Sequence, residues 1–229
     1  MPQKLTYQDW TNLDLFKGLE KTELDTIVSK LVFRMRTFKT DDVLAHRGEV
    51  LNSLMLLVEG ELHAEIMEPG ANDLRIETLT AGNMIAPAFL FGKLNQIPVT
   101  LTVSKVSIVM FIHKNDLLSL FQVSRTVLVN YLNHISGKAQ FLAEKIHLLN
   151  FKSLKQRIAA YVLNRCGDDY ISFELDITQE ELARLFGVAR TSLIRAFNSM
   201  EADGLLSMDN RIIRINNKEK LKKCGTMTI

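Results

Sequence analysis

The sequence predicts an α+β fold in three successive parts. These are an amino-terminal β-roll of the jelly-roll type over residues 1–122, a long dimerisation helix over 123–150, and a carboxy-terminal winged helix-turn-helix over 151–229. Three observations support this prediction. Short apolar runs punctuated by glycines fill the first part, a heptad pattern fills the second, and a capped helical pair joined by a glycine lies in the third.

The amino-terminal part opens with apolar residues at helical spacing over 13–32, which predict one or two short helices. Beyond residue 33 the apolar runs shorten, and glycines and turn residues separate them as far as residue 112. The candidate strands are 43–46, 54–58, 62–67, 74–79, 99–103 and 107–112. Strands at this spacing indicate a small antiparallel sandwich or jelly roll.

The second part carries a narrow apolar seam whose spacings alternate between four and three residues. Its members are Leu128, Leu132, Ile135, Ala139, Leu142, Ile146 and Leu149. This repeat is typical of a coiled-coil heptad. A helix that packs only within its own chain usually has a wider apolar stripe. The seam therefore favours pairing with the same helix of a second copy across a two-fold axis, with packing inside one chain as the alternative.

The third part contains a helical pair with a clear start and a clear turn. Thr178 followed by Glu181 three positions later is a capping-box pattern. Gly187 lies where the turn between the helices requires a residue that tolerates positive φ. A second helix is expected from about Ala189 to Asp203, and its inner apolar face is Leu193, Ile194, Phe197 and Met200.

The outer face of that second helix has the chemistry of a DNA-contacting surface. Arg190 stands at its amino-terminal end, and Thr191, Arg195 and Asn198 follow along the same side. This arrangement is typical of a helix that enters the DNA major groove. A dimer would then require double-stranded DNA with a pseudo-palindromic operator, its half-sites about one helical turn apart. The alternative is a helical pair with ordinary surface arginines.

Two short runs after the helical pair, 205–206 and 211–215, predict a wing hairpin around 208–210. Arg211 and Arg214 are candidates for phosphate contacts there. The alternative for each of them is an exposed strand position without a role in binding.

Composition narrows the class of protein. The net charge of the 229 residues is only +2, and the small basic excess lies in residues 151–229. No apolar run of 18 residues and no signal-peptide core occur, so we expect a cytoplasmic protein without a membrane span. The two cysteines, Cys166 and Cys224, suit a reducing compartment and are too few for a four-cysteine iron–sulfur site. No paired nucleophile and base, phosphate-binding glycine loop or metal cluster stands out, so we expect no enzyme.

The order of β-roll, long helix and winged helix-turn-helix resembles the CRP/FNR family of bacterial transcription regulators over nearly the whole chain. The matching segments are LFKGLEKTELDTIV, SLMLLVEGELHAEI and the helix-turn-helix over 177–206. The resemblance implies that Arg190, Thr191 and Arg195 occupy base-contacting positions. It places Thr178, Gln179 and Ser192 near phosphates and implies RNA polymerase as a protein partner. The predicted DNA-contacting residues are Thr178, Gln179, Arg190, Thr191, Ser192, Arg195, Asn198 and Arg211.

The chain departs from the family pattern at two positions of this motif. Thr191 stands where the family often has glutamate, and Ala189 stands where it often has serine. The operator sequence is therefore open at the bases that these positions contact.

The effector segment departs further. Cyclic-nucleotide-binding members have a glutamate for the ribose and an Arg-Ser or Arg-Thr pair for the phosphate. Here Pro87 falls about where the glutamate is expected, and Pro98 and Val99 about where the pair is expected. A phosphate needs hydrogen-bond donors or positive charge, and proline and valine supply neither. The sequence therefore argues against cyclic AMP.

The same segment predicts an apolar effector pocket. Its predicted lining residues are Met84, Ile85, Pro87, Phe89, Phe91 and Val99. Such a pocket suits haem, another hydrophobic ligand, or no ligand at all. The PAFLFG run resembles the HcpR-like branch of the family, which regulates the hybrid cluster protein and nitrosative-stress genes. That resemblance implies nitric oxide as a signal, with haem as a candidate cofactor.

Any haem would be bound non-covalently, because the chain has no Cys-x-x-Cys-His motif. His147, near the end of the long helix, and Met67 are the candidate axial ligands. The alternatives are an ordinary surface histidine and an ordinary core methionine. A signal would act by shifting the population of DNA-binding conformations. The rival hypothesis is a ligand- or haem-binding sensor that acts through a protein partner rather than DNA.

Overall fold

The computed structural model describes residues 5–66, 74–149, 151, 153–166 and 171–225. The chain divides into two compact units, residues 1–136 and 137–229, and the division falls inside the long helix Arg125–Leu149. Each unit has its own hydrophobic core. The two units are therefore described separately.

The first unit begins with helix α1 (Tyr7–Asn12), a 3-10 turn (Asp14–Phe16) and helix α2 (Lys21–Val28). The chain thus becomes helical earlier than the apolar spacing over 13–32 predicts. Trp10 is the buried residue of α1, so this helix shows no apolar period in the sequence. The Trp10 ring packs edge to face on Phe16, with centroids 5.0 Å apart, and on Phe33 at 5.4 Å.

The β-roll consists of antiparallel strands. Their bounds are β1 Arg34–Phe38, β2 Val43–Ala45, β3 Ser53–Ile66, β4 Leu74–Thr80, β5 Met84–Ile85 and β6 Thr100–His113. The order across the sheet is β1-β6-β3-β4, with β2 paired to β6 and β5 paired to β3. The sequence did not predict β1 and β5 as strands. β5 is only two residues long, too short to show a period.

Two pairs of predicted strands are each one continuous strand. The run 54–58 and the described part of the run 62–67 lie in β3, which ends at Ile66. The run 99–103, from Thr100 onward, and the run 107–112 lie in β6. The register between β3 and β6 shifts around Gly60, whose φ is +97°. A β-carbon at Gly60 would lie 2.7 Å from the Cα of Ser107. Glycine at position 60 therefore lets β3 and β6 continue through the register shift. In the sequence this shift appears as the break between 58 and 62 and the break between 103 and 107.

The other helices of the first unit are α3 (Pro87–Leu90), α4 (Lys114–Val123) and the start of α5 (Arg125–Leu149). Val127 and Tyr131 are the buried residues at the start of α5, and both belong to the core of this unit. Helix α5 continues through Gly137 without interruption. Among the described residues, no helix is long and apolar enough to cross a membrane.

The predicted seam of α5 is largely uncovered. The exposed fraction is 51% for Leu132, 55% for Leu142 and 65% for Ile146, and Ala139 is also exposed. Leu128 and Ile135 are half-buried, and Ile135 packs against the core of its own unit. The backbone of Leu149 is helical, and its side chain lies outside the described part of the structure.

The second unit combines helices with a small sheet. Its elements are α6 Leu154–Cys166, β7 Ser172–Glu174, α7 Gln179–Phe186, α8 Arg190–Ala202, β8 Leu206–Asp209, β9 Ile212–Ile215 and α9 Lys218–Gly225. The antiparallel sheet has the order β7-β9-β8. The predicted hairpin is β8 and β9, whereas β7, α6 and α9 were not predicted. Cys166 is buried, Cys224 is half-buried, and both thiols are free.

Candidate nucleic-acid interface

The first helix of the motif, α7, begins with a complete capping box. The hydroxyl of Thr178 accepts a hydrogen bond from the Glu181 backbone N–H at 3.2 Å. In return, the Thr178 backbone N–H donates to the Glu181 carboxylate at 2.7 Å, and the Thr178 hydroxyl donates to it at 2.8 Å. These bonds hold the pKa of Glu181 below its usual range. The helix start is therefore fixed at neutral pH.

The turn between α7 and α8 is held by backbone geometry. Gly187 adopts φ +68°, and its N–H donates to the carbonyl of Arg184 at 3.1 Å. The Val188 N–H donates to Ala183 at 3.0 Å. These bonds satisfy the last carbonyls of α7, as in many helix ends that use a left-handed glycine.

Arg157 of α6 adds a side-chain bond at the same place. Its Nη1 donates to the carbonyl of Phe186 at 2.9 Å, and its Nε donates to the carbonyl of Phe151 at 3.3 Å. A cation at the carboxyl end of α7 is also favourable for the helix dipole. Arg157 gives no signal in the sequence, because its partners are backbone carbonyls 6 and 29 positions away.

The inner and outer faces of α8 are sharply different. Leu193, Phe197 and Met200 are buried, and Ile194 is half-buried. The predicted DNA-contacting residues of the outer face are all exposed, namely Arg190, Thr191, Ser192, Arg195 and Asn198. A helix with one face in the core and one cationic face in solvent has the form that the major groove accepts.

The two arginines of this outer face have different surroundings. Arg190 Nη2 donates to the side-chain oxygen of Gln179, the first residue of α7, at 3.3 Å. Arg195 makes no hydrogen bond or ion pair within the described part of the chain. The side chain of Arg190 is therefore oriented by the protein, whereas that of Arg195 extends into solvent.

The wing carries two exposed arginines. Arg211 Nε donates to the carbonyl of Leu175 at 2.9 Å, so part of its guanidinium holds the chain between β7 and α7. Arg214 lies on β9 and is exposed. A phosphate contact by Arg211 would use the nitrogens that this bond leaves free.

The predicted effector residues divide between the core and the surface of the first unit. Met84, Ile85 and Pro87 are buried, and Val99 is half-buried. The rings of Phe89 and Phe91 are 38% and 43% exposed. None of the six residues lines the cavity of about 310 Å³ that lies between α2 and α4.

The effector segment is held against α5 by Tyr131. The Tyr131 hydroxyl donates to the carbonyl of Pro87 at 2.8 Å, and its ring lies edge-on to Phe91 with centroids 6.0 Å apart. Burial raises the pKa of Tyr131 to about 12, so the hydroxyl keeps its proton at neutral pH. Ala86, just before Pro87, has the left-handed φ of +49°, which is uncommon for alanine.

Comparison with known proteins finds a family match in each of the two units. Residues 35–124 match the cyclic nucleotide-binding domain, and residues 156–224 match the Crp-like helix-turn-helix domain. The two matches follow in the order of the family and together cover more than half of the chain. The protein belongs to the CRP/FNR family. It is a DNA-binding transcription regulator, and the predicted fold class is confirmed.

Relatives of this CRP/FNR regulator are distant. The cAMP-activated global transcriptional regulator CRP of Salmonella typhimurium is 22% identical over 181 residues, which cover 77% of this chain and 86% of that protein. The catabolite activator protein of Thermus thermophilus superposes with a TM-score of 0.53 at 19% identity, covering 93% of this chain and 98% of that one. A CprK variant complexed with OCPA gives a TM-score of 0.54 at 17% identity, covering 88% of this chain and 92% of that one. At these identities the structural likenesses show the fold alone.

One of the two candidate haem ligands of this CRP/FNR regulator, His147, lies at the surface. His147 is exposed, and its ring packs edge-on against Phe151 with centroids 5.7 Å apart. The other candidate, Met67, lies outside the described residues. Among the residues described, no group of three or more histidine, cysteine, aspartate or glutamate side chains is placed to hold a metal ion. An exposed imidazole on a phenylalanine edge does not fit haem, which needs a ligand inside an apolar pocket.

Replacing Thr178 by alanine is expected to destabilise the second unit. The variant loses the capping box of α7, which typically costs about 1 kcal/mol. For a domain of this size we expect a fall of roughly 4–8 °C in the unfolding temperature. Circular dichroism of the full chain during heating measures it.

The matched control is Thr6→Ala. This variant removes the capping box of α1, formed with Asp9, and should affect the first unit instead. An unchanged transition of the second unit in Thr178→Ala would show that the box does not hold the motif. The carboxylate part of this stabilisation is present at neutral pH. It is lost as the pH falls through the lowered pKa of Glu181.

Proposed function

We propose that this regulator binds a pseudo-palindromic operator as a homodimer and responds to an effector other than cyclic AMP. The outer face of α8 carries the proposal. Arg190, Thr191 and Arg195 are exposed on a helix whose opposite face is buried, at the end of a motif fixed by its capping box and turn. Arginine is the residue that most often contacts guanine in the major groove, and threonine can accept, donate or pack on a thymine methyl.

The exposed seam of α5 supports the homodimer. Leu132, Leu142 and Ile146 recur at heptad positions and remain more than half exposed in the single chain. A row of exposed aliphatic side chains of this length is unfavourable in water and is removed by pairing with an identical helix. Pairing across a two-fold axis would present two α8 helices to the two half-sites of the operator.

The chemistry of the effector segment supports an effector other than cyclic AMP. Pro87 has no backbone N–H and its carbonyl is engaged by Tyr131. Pro98 and Val99 supply no cation for a phosphate. Exposed Phe89 and Phe91 favour an apolar ligand instead. The HcpR-like resemblance makes nitric oxide the candidate signal to test. Because exposed His147 does not fit haem, a haem that carries this signal needs another ligand. The family makes RNA polymerase the candidate protein partner.

Selection from random DNA tests the proposed function directly. The full-length protein should enrich fragments that share a motif with two-fold symmetry. Control selections with Arg190→Ala should enrich a weaker or altered motif. If no sequence is enriched, the sensor with a protein partner replaces the DNA-binding proposal.

Titration with hemin, followed by anaerobic nitric oxide, tests the effector. A saturable Soret band at one haem per chain that shifts with nitric oxide would identify haem as the cofactor. A broad band that does not saturate would remove haem and nitric oxide sensing through it. The proposal would then rest on an apolar ligand or a ligand-free regulator.

A further inference from the structure

We propose that Gln179 is a positioning residue that sets base specificity by holding the guanidinium of Arg190. This inference rests on the proposed base-contacting role of Arg190. The observation behind it is the bond from Arg190 Nη2 to the side-chain oxygen of Gln179 at 3.3 Å. The bond joins the first residue of α7 to the first residue of α8 across the turn of the motif.

The backbone at Gln179 is held in place by neighbouring hydrogen bonds. It directly follows Thr178, the capping residue of α7, and the capping box with Glu181 fixes the backbone on both sides of it. The side chain of Gln179 is half-buried. The turn that sets the distance from α7 to α8 is itself held by Gly187 and by Arg157. The backbone that carries Gln179 is therefore fixed, and its half-buried side chain presents the oxygen to Arg190.

Arg190 needs such an acceptor. It is the first residue of α8, where the helix dipole makes a positive charge unfavourable. The capping residue before it is Ala189, whose side chain makes no capping bond. Without Gln179, the long and exposed side chain of Arg190 would sample many rotamers. The neutral carbonyl oxygen of Gln179 restrains it without cancelling the charge that DNA attracts.

The geometry of guanidinium explains the gain in specificity. Its five N–H groups lie in one plane, and two on the same edge are needed for the bidentate contact to guanine O6 and N7. The bond to Gln179 occupies one N–H of Nη2 and fixes the plane. It leaves another complete edge for the base. An oriented plane distinguishes guanine from other bases better than a mobile one, because a mobile guanidinium can turn to make partial contacts with another base and a fixed one cannot.

Arg195 provides a comparison within the same helix. It is exposed on the outer face of α8 and has no hydrogen bond or ion pair within the described residues. Gln179 therefore affects the base position that Arg190 contacts and has no effect at the position that Arg195 contacts. If Gln179 contributed only to folding, its replacement would affect the base positions of Arg190 and Arg195 equally.

The test compares base preferences of full-length Gln179→Ala and the parent protein by selection from operator libraries. The positions contacted by each arginine are first assigned from the profiles of Arg190→Ala and Arg195→Ala. We expect preference at the Arg190 position to relax about two- to tenfold, the range that one hydrogen bond supports. Preference at the Arg195 position should not change. Gln122→Ala, which shortens an exposed glutamine of α4, is the matched control.

Gln179→Ala separates positioning from a phosphate contact, because losing a phosphate contact would weaken binding equally at all base positions. Gln179→Glu tests whether an acceptor at this position is sufficient. This variant keeps an acceptor for Arg190, so the base profile should be retained, while the added negative charge weakens overall binding in a salt-dependent way. An unchanged profile in Gln179→Ala, or an equal loss at all positions, would overturn the inference. If Arg190→Ala itself leaves the profile unchanged, the base-contacting proposal for Arg190 fails first, whatever Gln179 does.

Discussion

Replacing Leu142 and Ile146 together by aspartate is expected to convert the regulator into a monomer that no longer holds its operator. Both side chains lie on the seam of α5 and are 55% and 65% exposed in the single chain. Pairing two such helices would bring four carboxylates into an apolar contact, where unpaired charges are strongly unfavourable. A monomer binds one half-site at a time, so operator affinity should fall roughly 100-fold or more.

Sedimentation velocity measures the oligomeric state, and a mobility shift with the selected operator measures the binding. Leu118→Asp is the control, because it places one such aspartate on an exposed leucine of α4, outside the seam. The control should remain dimeric. A seam variant that is still a dimer would show that the copies associate through another surface.

Arg190→Ala is expected to lower specific binding by about 1–3 kcal/mol, the usual worth of a good base contact. This corresponds to about a five- to 150-fold weaker operator complex at fixed salt. Binding to unrelated DNA should fall much less, because it depends on the number of phosphate contacts. Titration of labelled operator and of scrambled DNA under the same ionic conditions separates the two effects.

Arg184→Ala serves as the charge-matched control for Arg190→Ala. Arg184 is an exposed residue in the last turn of α7, and its loss removes the same charge from the same unit. We expect this control to weaken operator and scrambled DNA about equally. If Arg190→Ala behaves in the same way, Arg190 contacts phosphate rather than a base.

The helix-turn-helix was predicted closely because its signals are local. A capping box, a turn glycine and two apolar stripes all lie within the 30 residues from 177 to 206, and each reports on neighbours in the chain. The predicted span from Ala189 to Asp203 differs from α8 only by its two capping residues. The parts missed nearby depend on distant partners. Strand β7 is three residues long and is defined by its pairing with β9.

The contacts that orient the side chains of the site could not be predicted from the sequence, for a physical reason. Whether Gln179 reaches Arg190 depends on the angle between α7 and α8, which no local pattern encodes. The same holds for the effector segment. Its apolar composition was evident, but the burial of Pro87 and the exposure of Phe89 depend on the fold of the whole unit, including the left-handed backbone at Ala86.

The position of Trp10 gives this protein a built-in optical reporter. It is the one tryptophan of the chain and is buried in the first unit between Phe16 and Phe33. Fluorescence excited at wavelengths where only indole absorbs therefore comes from the first unit alone, and the second unit is dark at those wavelengths. A ligand that perturbs the first unit can be followed without a label. Melting of the helix-turn-helix, by contrast, will pass unseen in that signal.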